Sequence, residues 1–372
     1  MQKRVLITGG AGFIGSHLAD ELLRHGYSVR AFDNLAPQVH GERRARPAYL
    51  ASDVELVVGD VRSPDDVRRA LRDIDAVFHL AAAVGVGQSM YEIASYTSVN
   101  NLGTAVLLEA LAQRPVAKLI VASSMSIYGE GLYRNGDRAV APTRERSALQ
   151  LRAGDWELRD EDGTILRPVP TPETKTPSCA SVYALSKFDQ ERLCLMIGQA
   201  YAMPVVALRF FNVYGPRQAL SNPYTGVLAI FAARLLNDQA PLLFEDGLQR
   251  RDFVNARDVA RACRLALERG EADGRVLNVG SGEARSVREV GEALATAVGR
   301  PGVAPVVTGA YRKGDVRHCY ADIGTARRVL GYRAEVPFAE GLAELAAWLA
   351  DQHAVDRVVE HQAELKARGL VI

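Results

Sequence analysis

Length, composition and charge place this chain among globular proteins with a substantial core. Its 372 residues include 45 Lys and Arg against 44 Asp and Glu, a formal net charge of +1, and four cysteines. This balance supplies no general field for nucleic acid or an anionic membrane, and the length suffices for two lobes without disulfides. The cysteines form no CxxC pair, which argues against a zinc knuckle or a secreted disulfide framework, so we expect a cytoplasmic protein.

Apolar runs give no sign of a membrane segment. None approaches the ~20 residues of a membrane-spanning helix. Residues 1–4 lead into only a short apolar stretch before the first glycines, so no signal peptide is predicted. We therefore expect neither a membrane nor a nucleic acid as a partner.

Strands and helices are predicted in alternation along much of the chain. A buried-strand pattern over 4–8 leads through a glycine cluster into helical spacing over 14–24. Further strands are predicted at 27–32, 54–58, 76–80, 118–121 and 205–210, and further helices at 67–71, 100–111, 183–200, 227–236 and 259–268. This alternation predicts an α/β fold with a parallel, doubly wound Rossmann-type sheet.

The predicted organisation is one sheet domain followed by a smaller lobe. We assign 1–210 to a Rossmann domain and 211–372 mainly to a C-terminal α/β substrate-binding lobe, with segments at about 250–270 returning to the first domain. The stretch 130–178 is rich in Arg, Asp, Glu and Pro and has little apolar periodicity, which predicts an elaborated surface loop. It is either a tolerated insertion or a lid or oligomer contact.

The first predicted turn is rich in glycine at a spacing typical of dinucleotide sites. Gly9, Gly12 and Gly15 follow a strand and open a helix, where a tight turn, close backbone approach to a diphosphate and helix packing all favour glycine. Backbone N–H groups at the helix start stabilise the anion. Asp33 closes the second strand 18 residues beyond Gly15, at the place of a carboxylate that binds an adenosine ribose diol. No Arg follows it directly, which favours NAD over NADP.

One acidic and one apolar residue stand at the end of the third predicted strand. Asp60 and Val61 lie where a side chain would contact adenine. An ordinary acidic turn residue explains Asp60 equally well, so both interpretations stay open.

Tyr183, Lys187 and Ser124 form the candidate catalytic group. Tyr183 and Lys187 are four residues apart in a predicted helix and share one face. A phenol with its free pKa of ~10 is a poor base at neutral pH, but a neighbouring ammonium and a nicotinamide cation favour the phenolate. Ser124 follows the strand at 118–121 and is placed to hydrogen-bond the same substrate oxygen. YxxxK alone is also typical of an amphipathic helix, but its combination with Ser124 and Asp33 favours catalysis.

The order of these motifs resembles the extended short-chain dehydrogenase/reductases, and among them the NAD-dependent sugar-nucleotide epimerase/dehydratase family. The likeness covers nearly the whole chain, including 79–82, 128–129 and 209–216. It implies a bound NAD and a nucleotide-sugar substrate. The cofactor-binding residues it implies are Gly9, Gly12, Phe13, Ile14, Gly15, Asp33, Asn34, Asp60, Val61, Leu80, Ala81, Ala82, Asn100, Tyr183 and Lys187.

The resemblance also implies a set of substrate contacts. Asn212, Arg251 and Arg312 correspond to residues that face the diphosphate, and Ser124 and Ser126 to residues at the sugar. Two guanidinium groups can form charge-assisted hydrogen bonds with one diphosphate. Either arginine alone is also typical of a solvated surface. No metal is expected in this site.

The residues after Ser124 discriminate among reactions of the family. Dehydratases carry an Asp-Glu pair and decarboxylases a Glu there, whereas this chain has Met125-Ser126. Members that epimerise C3 and C5 use a cysteine in that segment, and we interpret Cys179 as a small buried or loop thiol. The remaining machinery is that of a 4-epimerase. The alternative is a net NAD(P)H-dependent reductase or dehydrogenase of nucleotide sugars.

The long insertion resembles a branch of the family that includes dTDP-L-rhamnose 4-epimerases. That branch predicts cysteine pairs in the insertion, where this chain has 157–163 without cysteine. We rank a dTDP-6-deoxyhexose first and a UDP-glucose or UDP-galactose type sugar next. The family also implies a homodimer, for which the chain offers apolar helix positions: Leu102, Val106, Leu107, Leu193, Leu195 and Ile197.

Overall fold

The main sheet of the protein has seven parallel strands. The computed structural model describes residues 3–140, 142, 146–222, 224, 226–312 and 314–372. Across the sheet the strands are Val276–Val279, Val205–Phe210, Lys118–Ser124, Ala76–His79, Arg4–Thr8, Ser28–Asp33 and Glu55–Val58. The strand order reverses beside Arg4–Thr8, the usual position of a ligand crevice in such sheets. The predicted doubly wound Rossmann-type fold is confirmed.

Helices cover both faces of this sheet, which explains why its strands are apolar on both sides. Phe13–Arg24, Ala256–Glu268 and Gly324–Leu330 pack on one face. Pro64–Ala70, Gly103–Gln113 and Val182–Ala200 pack on the other. A π-helical segment, Thr97–Leu102, leads into the helix at Gly103.

The predicted element bounds differ from the observed ones by a few residues. The strand at 205–210 and the helix at 227–236 lie where they were predicted. The strand predicted at 118–121 continues to Ser124, so this serine stands at its carboxyl end. The helix predicted at 67–71 begins at Pro64, after a Ser63 cap.

The second lobe has its own core, formed by the helices Val227–Leu236, Val287–Ala297 and Phe338–Leu349. The C-terminal helix Val358–Ala367 lies beyond them. Short strands complete the lobe: Asn212–Tyr214, Leu242–Leu243, Arg250–Arg251, Phe253–Asn255, Arg285–Ser286, Val306–Val307 and His318–Cys319. The remaining short helices of the described chain are Pro37–His40, Val86–Ser89, Ile93–Tyr96, Met125–Tyr128 and Gly270–Ala272.

The chain crosses between the lobes more extensively than the sequence indicated. The return at about 250–270 continues to Val276–Val279, which pairs with Val205–Phe210 as the seventh strand. Gly324–Leu330 also packs on the first lobe. The division into 1–210 and 211–372 therefore stays a proposal about roles, since the sheet itself draws on both segments.

The insertion at 130–178 is a small folded unit, so the prediction of a surface loop was wrong. Leu132–Asn135 lies between Arg138–Val140 and Arg167–Val169 in a three-stranded antiparallel sheet, and Ala148–Arg152 is helical. A miniature core of Tyr133, Leu158 and Leu166 lies beneath it. Strands of three or four residues carry too few apolar positions to produce a detectable period.

Ion pairs attach the insertion to the second lobe. Arg317 is fully buried, and its guanidinium donates to Glu157 of the insertion at 2.6 Å and to Glu245 at 2.9 Å. Arg146 of the insertion pairs with the same Glu245 at 2.7 Å. The four cysteines are free thiols elsewhere in the fold. A shared ionic cluster thus joins these described parts.

None of the helices in the described ranges is both long and apolar enough to cross a membrane. The cytoplasmic location stays a prediction.

Candidate active site

The glycine turn at the start of the first helix is built for close backbone approach. Gly9 has a φ of +68°, and a Cβ there would lie 3.0 Å from the backbone of Ala81. A Cβ on Gly15 would clash with the Gly9 carbonyl oxygen. Gly12 precedes Phe13–Arg24 without any side-chain cap, so the first N–H groups of this helix are left for a ligand. This cradle fits the diphosphate of a dinucleotide.

Asp33 lies at the end of its strand, above the glycine turn. Its Oδ2 accepts a hydrogen bond from Ala11 N at 3.1 Å and its Oδ1 from Leu35 N at 2.9 Å. Each carboxylate oxygen keeps further acceptor capacity. The geometry therefore fits the predicted ribose contact.

Asn34 and Asp60 meet next to Asp33, where neighbouring strands end. Asn34 Nδ2 donates to Asp60 at 3.4 Å, and Arg62 forms an ion pair with the same carboxylate at 2.6 Å. The hydrogen bonds from the Arg62 side chain lower the pKa of Asp60 to about 2. Val61 packs against the start of the helix at Gly103. Contact of these residues with adenine stays a prediction.

The segment 80–83 links the glycine turn to the catalytic helix. Leu80 N and Ala81 N donate to Thr8 Oγ1 at 3.2 and 3.1 Å. Asn100 is fully buried. Its Oδ1 accepts a hydrogen bond from the backbone N–H of Ala83, and its Nδ2 donates one to the backbone carbonyl oxygen of the same residue. Its Nδ2 also donates to Ser186 Oγ at 2.9 Å. The amide of Asn100 therefore holds the site together, and direct cofactor contact by Asn100 or Ala82 stays a prediction.

Ser124, Ser126 and Tyr183 come together at the carboxyl end of the sheet. Ser124 Oγ accepts hydrogen bonds from Ser126 N and Ser126 Oγ, at 3.2 and 2.9 Å. Tyr183 stands in the first turn of Val182–Ala200, whose cap is Ser181 Oγ, and its own N–H donates to Ser89 Oγ at 3.0 Å. Burial raises the pKa of Tyr183, and a hydrogen bond with Ser124 opposes that rise.

Lys187 lies on the same helix, but its ammonium has another partner. Nζ donates to Gln190 Oε1 at 2.7 Å, and burial lowers the pKa of Lys187 to about 8. The predicted role of Lys187, favouring the Tyr183 phenolate together with a nicotinamide cation, stays a prediction. Burial outweighs the help from neighbouring groups, so the phenol is held in its neutral form.

Gln190 and His79 complete a buried network that sequence analysis did not assign. Gln190 Nε2 donates to Thr104 Oγ1 at 2.7 Å and lies 3.2 Å from His79 Nε2. Burial, followed by the charge of Lys187, lowers the pKa of His79 to about 3, so this imidazole is neutral. The signal for Gln190 was its place three residues after Lys187 on one helix face.

Asn212 begins the short strand Asn212–Tyr214, and its side-chain amide is not fully hydrogen-bonded. Its Oδ1 is buried and has no hydrogen-bond partner among the described residues. Its backbone N–H donates to Asp252 O at 2.9 Å, which fixes the residue. An unpaired buried amide oxygen is costly, so the site fits a polar ligand.

The two predicted arginines differ in how freely they can bind substrate. Arg251 donates to the carbonyl oxygens of Arg317, at 2.9 Å, and Val316. Arg312 stacks over the Phe244 ring at 4.5 Å, and its buried Nε lacks a partner in the described chain. Of the two guanidinium groups, that of Arg312 therefore has more hydrogen-bond donor capacity left for a diphosphate.

A cavity of about 190 Å³ lies between the loop after Ser124 and the segment of Arg312. Gly129 and Ser178 line one side, and Arg312 and Asp315 the other. The insertion contributes Arg146 and Lys175, which the sequence did not indicate as site residues. Within the described part of the chain, no three His, Cys, Asp or Glu side chains are grouped so that they could hold a metal ion.

Known proteins are similar to this chain in sequence and in architecture. The chain is 35% identical over 354 residues to a dTDP-L-rhamnose 4-epimerase of Burkholderia thailandensis, covering 94% of this chain and 96% of that protein. It is 33% identical to a UDP-glucose 4-epimerase of Mycolicibacterium smegmatis, covering 92% and 96% of the two chains. The solved UDP-glucose 4-epimerase of Thermus thermophilus in complex with NAD superposes with a TM-score of 0.74 at 34% identity, covering 94% of this chain and 99% of that one.

The family model matches most of the chain. The model described as the NAD dependent epimerase/dehydratase family covers residues 5–280. This range holds the glycine turn, the Ser124 strand and the Tyr183 helix. The chain therefore belongs to the NAD dependent epimerase/dehydratase family, and the predictions of an epimerase enzyme and of NAD as its cofactor are confirmed.

Proposed function

We propose that this enzyme inverts C4 of a nucleoside-diphosphate hexose through a transient 4-keto sugar. The observation that carries the proposal is the cluster of Tyr183, Ser124 and Ser126 at the carboxyl edge of the sheet, next to the glycine cradle. No carboxylate accompanies these residues in the short helix Met125–Tyr128. Oxidation and reduction at C4 need no acidic side chain besides the tyrosine that takes and returns the O4 proton.

Each side chain has a distinct role in this scheme. NAD held by the glycine turn and Asp33 would supply a hydride acceptor, which accounts for oxidation of C4 by loss of a hydride and for its reduction when the hydride returns. Tyr183 takes the O4 proton and later returns it, and Ser124 hydrogen-bonds the same oxygen and orients it. Lys187 lies one turn after Tyr183 and supplies positive charge that favours the phenolate when the cofactor is in place. Asn212, Arg251 and Arg312 hold the diphosphate while the sugar turns over.

Other reactions of the family lack their acid or base here. Removal of water from C5 and C6 needs a carboxyl group where this chain has Met125 and Ser126. Deprotonation of C3 or C5 needs an activated thiol, but burial raises the pKa of Cys179. Cys179 lies against Ile127 O at 3.8 Å, in the loop below the site. The site thus retains the machinery for C4 alone.

A dTDP-6-deoxyhexose, with dTDP-L-rhamnose first, is the substrate class that we favour. The Burkholderia thailandensis relative is named for that sugar nucleotide and is similar over nearly its full length. A UDP-glucose or UDP-galactose type sugar is next, because other relatives are named for UDP-glucose. The insertion supports a dedicated pocket, since Arg146 and Lys175 line the cavity beside Arg312.

The deciding experiment is an NMR screen for C4 inversion. Purified enzyme is mixed with dTDP-, UDP- and GDP-sugars without added cofactor, and then with added NAD. Inversion of C4 with no net change in nicotinamide absorbance supports the proposal. Stoichiometric conversion of NAD(P)H would instead establish the net reductase or dehydrogenase alternative.

We also propose a homodimer through the helices after Asn100 and Ser181. Val106 and Leu107 are buried in the core of their own subunit, and Leu193, Leu195 and Ile197 pack partly against it. Of the predicted positions, Leu102 is exposed, and Leu185 and Met196 are further exposed apolar side chains on these helices. Light scattering at micromolar concentration tests this, and a monomeric mass contradicts it.

A further inference from the structure

The cavity beside Arg312 borders both segments that carry the catalytic side chains. Gly129 lies on this cavity, and its backbone N–H donates to Ser126 O at 3.2 Å. Ala180 lies on it too, three residues before Tyr183. A sugar whose diphosphate is held at Arg312 and whose O4 is at Tyr183 therefore has this cavity as its neighbour.

The insertion supplies apolar side chains to this cavity. Leu151 and Pro142 both line it. Leu151 stands in the helix Ala148–Arg152, is only 7% exposed, and does not belong to the three-residue core of the insertion. Leu149 of the same helix is 79% exposed. The helix thus presents one leucine to the cavity and another to solvent.

The charged side chains of the insertion that line the cavity are bonded to the protein at their polar ends. Arg146 Nη1 donates to Glu245 Oε1 at 2.7 Å, and Lys175 Nζ donates to Tyr128 O at 2.5 Å. Both carboxylate oxygens of Glu130 accept hydrogen bonds from the protein. Long basic side chains held in this way present their aliphatic stems to the space beside them. The insertion side of the cavity is therefore more apolar than its charged residues indicate.

The substituent on C5 of the sugar lies next to the carbon that reacts. A 6-deoxyhexose carries a methyl group there, a hexose a hydroxymethyl group and a uronate a carboxylate. An apolar surface favours the methyl group, because a hydroxyl group would lose hydrogen bonds to water and a carboxylate would lose far more. The apolar side of the cavity thus fits a 6-deoxy sugar.

We propose that Leu151 is a specificity-determining residue whose side chain, with that of Pro142, forms an apolar subsite for the C6 methyl group of a 6-deoxyhexose. The insertion then selects the substrate, whereas Ser124 and Tyr183 carry out the C4 chemistry on any sugar that reaches them. The inference rests on the proposed function, because it requires a nucleoside diphosphate at Arg312 and C4 at Tyr183.

The test compares nucleotide sugars that differ only at C6. dTDP-L-rhamnose is paired with dTDP-L-mannose, and UDP-6-deoxy-D-glucose with UDP-D-glucose, while UDP-D-glucuronate carries the carboxylate. The NMR assay gives kcat/KM for C4 inversion of each sugar by the full-length enzyme with added NAD.

Three variants separate the subsite from the fold of the insertion. Leu151→Ser makes the surface polar, whereas Leu151→Met keeps it apolar at similar volume. Leu149→Ser introduces the same polar group on the exposed side of the helix and is the matched control. Melting temperatures are measured for all of them.

Wild-type enzyme should prefer the 6-deoxy sugar of a pair by about tenfold to a hundredfold, the range for a small group in an apolar pocket. Leu151→Ser should lower this preference by about tenfold, through a higher KM for the 6-deoxy sugar at a kcat near wild type. Leu151→Met and Leu149→Ser should keep the wild-type preference.

An unchanged preference in Leu151→Ser overturns the inference, and so does a wild-type enzyme that favours the hydroxymethyl sugar or the uronate. C4 inversion itself would stand after either result. If Leu151→Ser does not fold, Leu151→Ala is judged by the same criteria. A wild-type enzyme that inverts C4 of no sugar in the panel contradicts the proposed function, and the inference with it.

Discussion

The cofactor side and the substrate side of the crevice are built in different ways. The cofactor side comes from contiguous motifs, each at the end of a strand: the glycine turn after Arg4–Thr8, Asp33 after the second strand and Asp60 after the third. The substrate side draws on distant segments, including the insertion and the region around Arg312. Local backbone requirements thus fix the cofactor side, whereas long-range contacts fix the substrate side.

The largest expected effect is at the junction of the two sides. Tyr183→Phe removes the proton acceptor and leaves the ring in place, so kcat should fall by about a thousandfold. NAD content and melting temperature should stay near wild type, and the NMR assay measures the loss. Unchanged turnover would show that another group moves the proton.

The next prediction tests the rigidity of the cofactor side. Gly15→Ala places a methyl group against the Gly9 carbonyl oxygen, so the turn must open and NAD affinity should drop sharply. Overpacking of this kind costs about 1–3 kcal/mol of unfolding free energy. Gly270→Ala is the control, because a Cβ there meets no atom within 4 Å and no left-handed φ is involved. Equal NAD affinity in both variants would contradict the claim that the glycine turn has no room for a side chain at Gly15.

The substrate side should be sensitive to acid at the ionic attachment of the insertion. Hydrogen bonds from His318, and then from Arg317, lower the pKa of Glu157 to about 2. A carboxyl whose pKa is lower in the folded protein stabilises it above its unfolded pKa of ~4.5, and this stabilisation disappears as the pH falls towards 2.

Glu157→Gln should therefore cost about 2 kcal/mol at pH 7, the order of one charged hydrogen bond. The difference from wild type should shrink as the pH falls from about 5 to 2. Denaturant unfolding at several pH values measures it, with the exposed Asp162→Asn as control. A difference in unfolding free energy that stays constant from pH 5 to pH 2 would contradict a stabilising role of the ionised Glu157 carboxylate.

The smallest effect is expected for Ser126→Ala. The variant removes the hydroxyl that donates to Ser124 Oγ at 2.9 Å, so Ser124 loses part of its orientation. One neutral hydrogen bond is worth about 1 kcal/mol, which corresponds to roughly a fivefold fall in kcat. A change confined to KM would place Ser126 at the diphosphate or the sugar ring instead.

Sequence patterns predicted the sheet and the cofactor motifs because those features repeat locally. The glycine spacing, Asp33 and the Tyr183 to Lys187 interval each follow from one turn or one helix face. Ser124 was placed correctly at the carboxyl end of its strand, although the strand is longer than predicted.

The remaining features depend on partners far away in sequence. Arg317 is buried only because Glu157 and Glu245 surround it, and no local pattern announces that. The insertion has a core of three residues, too few to register as a period. Likewise, the side-chain amide of Gln190 bonds Thr104 and lies against His79, and both are far from it in sequence.

The seventh strand has a consequence for how the chain is made. Val276–Val279 pairs with Val205–Phe210, and much of the second lobe, including Val227–Leu236, is synthesised between them. Until residue 279 emerges from the ribosome, the strand Val205–Phe210 is an open sheet edge, the kind of surface that pairs with other chains. Productive folding therefore waits for a late segment, and a chain stopped before that strand should aggregate rather than yield an isolated cofactor domain.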